Sequence, residues 1–482
     1  MDRREIIQSG GAAIAAIGLG QPLRAATGAG DPAALPDMAV LRRSLALHPG
    51  VHRYLSPREA ERELALLEQS WDKRPALSDR YLALSRFLAS IRCGHSYGNF
   101  FNQTKPVAAE LFDRPTRLPL HFVWVGDTMV VTEGFASGLP RGSVITGFNG
   151  EAPATLRARL LPYVRTDGHN HIKRVSLLEV RGDDRIETFD VFQGLLAAPP
   201  DGIHRLAVRL PDGSDRALAV PAIGLAARRA QMPAVPAADD APSWHWRMTS
   251  DGVAVLTMPG WALWNSKWDW KGWLGDRLDS LDGARGLIVD IRDNEGGEDC
   301  GDMIIARLID RDFVAPRVEQ RIRFRRTPTD LDRYLDTWDD SFRTLGEKAA
   351  ELPGGFYLRP GGDEAMRVPA SDKRIRCPVR VLTSPVNSSA TFQFAGNLRL
   401  IGAGKLVGRA TGGNRRGING GCFFFVRLPQ SGIEFDLPLV GYFPVDPQPD
   451  AGLEPDIAVA PSIDSITAGR DPELEAAIRS IT

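Results

Sequence analysis

Two short runs in the second half of the chain constrain its fold most. Gly286 to Arg292 (GLIVDIR) and Val379 to Thr383 (VRVLT) are almost continuously apolar and rich in branched side chains. A strand that is apolar on both faces is buried on both faces, which is the habit of parallel sheets covered by helices. Each run ends in a turn of small or polar residues, and helical patterns separate the two. The pattern predicts an α/β architecture for the C-terminal half. Gly252 to Met258 reads as a further strand.

The first half reads differently. From Asp37 to about Ile91 the apolar spacing is helical. Glu61 to Lys73 (ERELALLEQSWDK) is one amphipathic segment and Leu82 to Ile91 another. Ser56-Pro57 supplies an N-cap followed by proline at the first helical position. From Leu118 the period drops to two. LPLHFVWVGDTMVVTEG reads as two strands joined at Gly126-Asp127, and Val144 to Gly150 as a strand closed by a turn. Ala152 to Leu161 suits a helix. Arg205 to Leu210 and Arg216 to Val220 form a hairpin around Pro211-Asp212-Gly213. Arg141-Gly142-Ser143-Val144-Ile145 with Phe148-Asn149-Gly150 resembles a PDZ-like module, here carrying a helical insertion. Gln231 to Ser243, rich in Ala, Pro and Asp, has the composition of a linker. The expected order is an export signal over 1–29, a helical region over 30–112, the PDZ-like module over 113–226, a linker over 227–243 and the α/β domain over 244–482.

The formal net charge of the 482 residues is -1, which gives no reason to expect nucleic acid or an anionic membrane as partner. Arg3-Arg4, the small-residue apolar run Gly10 to Gly20 and Ala25-Ala26 together resemble a twin-arginine export signal with a cleavage site. No later run reaches the roughly 18 apolar residues of a membrane span. A periplasmic or secreted mature chain with no membrane span is therefore expected. Cys93, Cys300, Cys377 and Cys422 share no CxxC spacing, so no zinc site is expected, and each suits a buried thiol as well as a bridge.

Chemistry concentrates after the two buried runs. Val379 to Thr383 leads into Ser384-Pro385-Val386-Asn387-Ser388-Ser389 and then a helical pattern. A serine at a strand-to-helix junction presents its hydroxyl beside free helix N–H groups, which stabilise a developing oxyanion. Either Ser388 or Ser389 also suits a plain N-cap. The other run ends in Asp293-Asn294-Glu295-Gly296-Gly297, and paired glycines after a strand can offer backbone N–H groups to a ligand.

Taken together these segments resemble the tail-specific (C-terminal processing) serine peptidase family. Asp290 to Gly297 resembles its strand-then-Gly-Gly motif, Ser389-Ala390-Thr391-Phe392 its nucleophile segment, Val407 to Gly413 its Gly-rich segment, and Gly452 to Ile457 its closing motif. The resemblance implies a crotonase/Clp-protease-like core of stacked βαβ units, with Ser389 as nucleophile and N–H groups of Gly296 or Gly297 and Ala390 holding the oxyanion. The ungapped match selects Ser389 over Ser388. The lysine of the better-known Ser–Lys branch aligns with Asn414, the motif's glutamate with Phe392, and the nearest lysine, Lys405, reads as an exposed residue beside a strand. All eight histidines lie at or before His245, so an imidazole base must come from outside the core. Cys93-Gly94-His95-Ser96 resembles the tricorn-like branch, which implies His95 as the base. His48 and His52 read as loop residues and His121 as packed. Neither Asp450 nor Glu454 is singled out as a third group. The implied activity is hydrolysis of peptide bonds in cell-envelope proteins or peptides, without metal or cofactor, and the PDZ-like module implies that a substrate can be held by its C-terminus. A non-catalytic binding protein that keeps the fold is the alternative.

Overall fold

A computed structural model describes residues 35–233 and 240–481. The expected export signal lies outside the described residues. The described chain is mixed α/β, as expected.

Four helices open it: Asp37–Leu45, Pro57–Lys73, Leu77–Ser90 and Lys105–Phe112. The second begins where Ser56-Pro57 predicted. Ser56 and Glu59 form a reciprocal capping box, and Ala60, Leu64, Leu67 and Trp71 supply its buried stripe. A five-stranded antiparallel sheet follows in chain order: His121–Val125, Thr128–Glu133, Val144–Phe148, Ile203–Arg209 and Asp215–Pro221. Between its third and fourth strands sits an insertion with helices Pro153–Leu160, His171–Leu177 and Thr188–Leu196. The helix Leu225–Arg229 overlaps the first residues of the span 227–243 expected as linker and ends before the linker-like composition begins at Gln231. Its Arg228 is fully buried against Asp190.

The C-terminal half holds a six-stranded sheet. Its order is Ile457–Ala458, Lys405–Gly408, Val379–Thr383, Gly286–Asp290, Val253–Thr257 and His245–Met248, all parallel except the last. Its two central strands are the two apolar runs, Val379–Thr383 and Gly286–Asp290. Leu287, Val289, Val379 and Val381 face the layer containing helix Ser389–Ile401. Ile288 and Leu382 face the C-terminal helix Pro472–Arg479 through Ala476 and Ala477. Alternate side chains are thus buried on opposite faces, which explains why these runs are apolar at most positions.

A second six-stranded sheet is antiparallel and had no counterpart in the sequence reading. Its centre is a long hairpin, Asn419–Arg427 with Glu434–Pro444. Phe424, Val426, Phe435 and Leu437 from this hairpin share one hydrophobic core with Val40, Leu41 and Leu64 of the opening helices and with Phe122 and Ile145 of the five-stranded sheet. The opening helices are therefore fastened to the C-terminal half by a common core, which brings residue 95 close to residue 420. No helix among the described residues is long and apolar enough to cross a membrane.

Candidate active site

The site forms at the C-terminal ends of the strands Gly286–Asp290 and Val379–Thr383, where parallel α/β sheets place their ligands. From the second strand the chain crosses a five-residue turn, residues 384–388, and enters helix Ser389–Ile401. Ser389 has φ +50, in the left-handed region that a residue with Cβ rarely adopts. Strain of this kind at a strand-to-helix turn lifts a serine hydroxyl out of the helix surface. Ser388, by contrast, is extended at φ -141 and makes no side-chain cap. It is 1% exposed, while Ser389 is partly exposed. With no cap in place, the first-turn N–H groups of the helix remain available.

The turn is held rigidly. Asn387 Nδ2 donates to the carbonyls of Ile291 and Asn294, and Asn387 Oδ1 accepts from Ser384 N at 2.7 Å. Its own carbonyl accepts from Gly412 and Gly413 at 2.8 and 2.9 Å. Thr391 Oγ1 adds bonds to the Asn294 and Ser388 carbonyls at 3.0 and 2.8 Å. These contacts join the three segments that the sequence singled out: the turn before Ser389, the Gly-Gly turn and the Gly-rich segment.

Gly296 lies directly against Ser389. A Cβ on Gly296 would stand 2.9 Å from Ser389 Cβ, 3.0 Å from Ser388 O and 3.1 Å from Ala390 N. The φ of Gly296 is +134 and that of Gly297 +137, both glycine conformations. Gly297 is pressed against Trp261, whose carbonyl would meet its Cβ at 2.2 Å. The Gly296 N–H donates to Asn294 Oδ1 at 3.0 Å, so it is already engaged. The N–H groups of Gly297 and Ala390 have no hydrogen-bond partner among the described residues. Of the three expected donors, these two are the free ones.

His95 is 5% exposed, in the loop after helix Leu77–Ser90. Its ring packs on Phe423 and close to Gly420 of the long hairpin. Its Nδ1 has no partner among the described residues. Burial pushes its pKa down to about 4; Asp167 opposes that shift, Lys173 reinforces it, and Glu295 and Arg165 act in the same two senses. His48 lies in a loop, as expected, and is buried there with Nε2 2.8 Å from Ser96 Oγ. His121 is packed in its strand. All four cysteines are unpaired thiols.

Lys405 is exposed at the first position of its strand. Asn414 is buried, and its Nδ2 donates to the Asp167 carbonyl at 3.1 Å and to Asp450 Oδ1 at 2.7 Å. Asp450 pairs with His169. The Arg399 side chain donates to the Glu454 carbonyl.

The sequence reading missed a buried group of charges beside the site. Lys173 Nζ lies 2.9 Å from Asp167 Oδ2, 3.3 Å from Glu295 Oε1 and 2.9 Å from Ser388 Oγ. Arg165 donates to both oxygens of Glu295 at 2.7 and 2.9 Å. Burial opposes ionisation of both Asp167 and Glu295, yet both stay below the usual carboxylate range: Lys173 dominates at Asp167, and Arg165 then Lys173 at Glu295. Arg165, Asp167 and Lys173 sit in the insertion of the five-stranded sheet. No motif pointed there, because their partners lie far away in sequence.

Comparison with known proteins agrees with this picture. Residues 252–459 match the model of peptidase family S41. No curated protein is similar enough in sequence to match. Among solved structures, mature CPAF complexed with lactacystin superposes with a TM-score of 0.61 at 16% identity, covering 92% of this chain and 96% of that one. Mature CPAF alone gives 0.58 at 15% identity, covering 92% and 95%. At such identities the likeness is one of fold. The family match covers both central strands, the Gly-Gly turn and the Ser389 helix, and the chain accordingly carries a peptidase family S41 domain, the domain of a serine-type peptidase.

Proposed function

We propose that the chain hydrolyses peptide bonds with Ser389 as nucleophile and His95 as general base. The observation that carries this reading is Ser389 itself, held at positive φ on an uncapped helix N-terminus and packed against Gly296. In the acylation step His95 takes the Ser389 proton as the oxygen attacks the scissile carbonyl. The N–H groups of Gly297 and Ala390 then receive the oxyanion. His95 returns the proton to the leaving amine, and water repeats the sequence on the acyl-enzyme. Gly296 contributes by letting the backbone come close enough, since its own N–H is engaged with Asn294.

A second reading has one favourable distance, Lys173 Nζ to Ser388 Oγ at 2.9 Å. Ser388 and Lys173 are each 1% exposed, so a polypeptide has no path to that hydroxyl. Lys173 Nζ is also shared among Asp167, Glu295 and Ser388, and its contact with Ser388 is one in which the lysine donates.

The substrates are exported proteins or peptides of the cell envelope, the compartment implied by the twin-arginine-like N-terminus. The five-stranded sheet, read as PDZ-like, would take a substrate end as an added strand. Cleavage of an unstructured reporter peptide by wild type, Ser389→Ala, Ser388→Ala and His95→Ala tests the mechanism. Activity should vanish in Ser389→Ala, fall by orders of magnitude in His95→Ala and survive in Ser388→Ala. Activity surviving in Ser389→Ala but lost in Ser388→Ala would establish the second reading instead.

A further inference from the structure

Three residues stand immediately before the three functional positions: Gly94 before His95, Glu295 before Gly296, and Ser388 before Ser389. All three are gripped by one nine-residue stretch of the insertion, residues 165–173. Asp167 Oδ1 accepts from Gly94 N at 2.9 Å, and Arg165 Nη1 donates to Gly94 O at 2.8 Å. Arg165 also holds Glu295 in a two-pronged pair, and Lys173 bonds Ser388. Lys173 and Asp167, paired to each other, close the loop.

We propose that Arg165, Asp167 and Lys173 form a positioning clamp that fixes the base loop, the Gly-Gly turn and the nucleophile turn relative to one another. The proposal rests on the reading of Ser389 and His95 given above.

Without the clamp, the base comes from the helical region and the nucleophile from the C-terminal sheet, separated by nearly 300 residues of sequence. The shared hydrophobic core brings these regions together but cannot set a side chain to a few tenths of an ångström. Hydrogen bonds to the residues adjacent to the reacting ones, at the backbone of Gly94 and the side chains of Glu295 and Ser388, can. Burial strengthens them, since the side chains of Lys173, Asp167 and Glu295 are 1–2% exposed. The geometry is also tight at Gly94, where a Cβ would lie 2.7 Å from both Asp167 carboxylate oxygens.

The clamp has an electrostatic side, because the same groups surround the base. From the insertion, Arg165 and Lys173 disfavour imidazolium and Asp167 favours it, and from the Gly-Gly turn Glu295 favours it. On the base's own loop stand the buried Cys93 thiol and Ser96, the latter bonded to His48. The hairpin side presents the uncharged Gly420 and Phe423. Removing a clamp cation therefore loosens the site and makes His95 easier to protonate.

The test uses Lys173→Met and Arg165→Gln in the full mature chain. Three readouts are taken: kcat and KM on a peptide, the pH profile of kcat/KM, and the rate of fluorophosphonate labelling. Both variants should lose at least about tenfold in kcat and in labelling rate, with KM within about twofold. The acid limb of the profile should move up by about one pH unit in each, which a merely structural role would not produce. Lys173→Met leaves two buried carboxylates short of a partner; if it fails to fold, Arg165→Gln, at a partly exposed side chain, decides alone. A folded variant with wild-type kcat and an unmoved acid limb overturns the clamp. Failure of the underlying reading looks different, since Ser389→Ala or His95→Ala would then retain activity.

Discussion

Gly296→Ala is the sharpest single perturbation the structure offers. The new methyl would sit 2.9 Å from Ser389 Cβ, closer than real Cβ atoms approach, with Ser388 O and Ala390 N at 3.0 and 3.1 Å. All three contacts belong to the nucleophile turn, and that turn is cross-linked through Asn387 and Thr391, so it cannot swing aside freely. The φ of +134 adds backbone strain of about 1–3 kcal/mol. Relieving the overlap demands a shift of several tenths of an ångström in Ser389 or in the Gly297 N–H. Misplacement approaching 1 Å costs on the order of 100-fold in rate. The control is Gly402→Ala, at the C-cap of the same helix, where φ is +65 and nothing lies within 4 Å. It carries comparable strain without the clash. The assay is kcat/KM on one peptide with thermal melting of each variant. Gly296→Ala should lose roughly 100-fold in kcat/KM, and Gly402→Ala should lose stability only. A folded Gly296→Ala enzyme within threefold of wild type would refute the claim that Gly296 is needed to admit Ser389.

Other outcomes follow from the same geometry. With the His95 pKa pushed down to about 4, the base stays neutral through mildly acidic pH, so kcat/KM should hold to about pH 5 and fall near 4; a limb near the unperturbed ~6.5 would mean an exposed base. Because the folded-state value lies below the unfolded one, His95 costs no stability above pH 6.5. Stability is lost as pH falls from there toward 4, by about 3 kcal/mol in total, which urea midpoints of wild type and His95→Gln across that range would show. Ser388→Ala should still be labelled on Ser389, but more slowly because the Lys173 hold on the nucleophile turn is gone, and should lose about 1–3 kcal/mol of stability in denaturant titration, since it strands a buried Lys173 N–H. Lys405→Ala, at an exposed strand end, should match wild type in the peptide assay.

How much of this could be read beforehand depended on how local the signal was. Helix Pro57–Lys73 announced itself because Ser56 and Pro57 are neighbours in sequence and an amphipathic run follows them. The central parallel strands did so because burial on both faces leaves no polar position in Leu287, Ile288 and Val289. The long hairpin around Phe424 and Phe435 was missed. Its strands carry glycines and polar residues, and Asn419, Glu434 and Asp436 are buried through tertiary partners such as Gln103 and Asn99. Gly296 and Ser389 were legible as a pair because a resemblance linked two weak motifs. Lys173 was not, because its three partners come from residues 167, 295 and 388, and a lysine in a helical stretch carries no mark of burial.

The central claim, that Ser389 is the activated serine of this peptidase domain, is tested most directly by mapping where a fluorophosphonate attaches. Wild type and His95→Ala are labelled at neutral pH, digested and sequenced by mass spectrometry. The adduct should sit on Ser389 in wild type and be nearly absent in His95→Ala. An adduct on Ser388, or equal labelling of Ser389 with and without His95, would contradict the account.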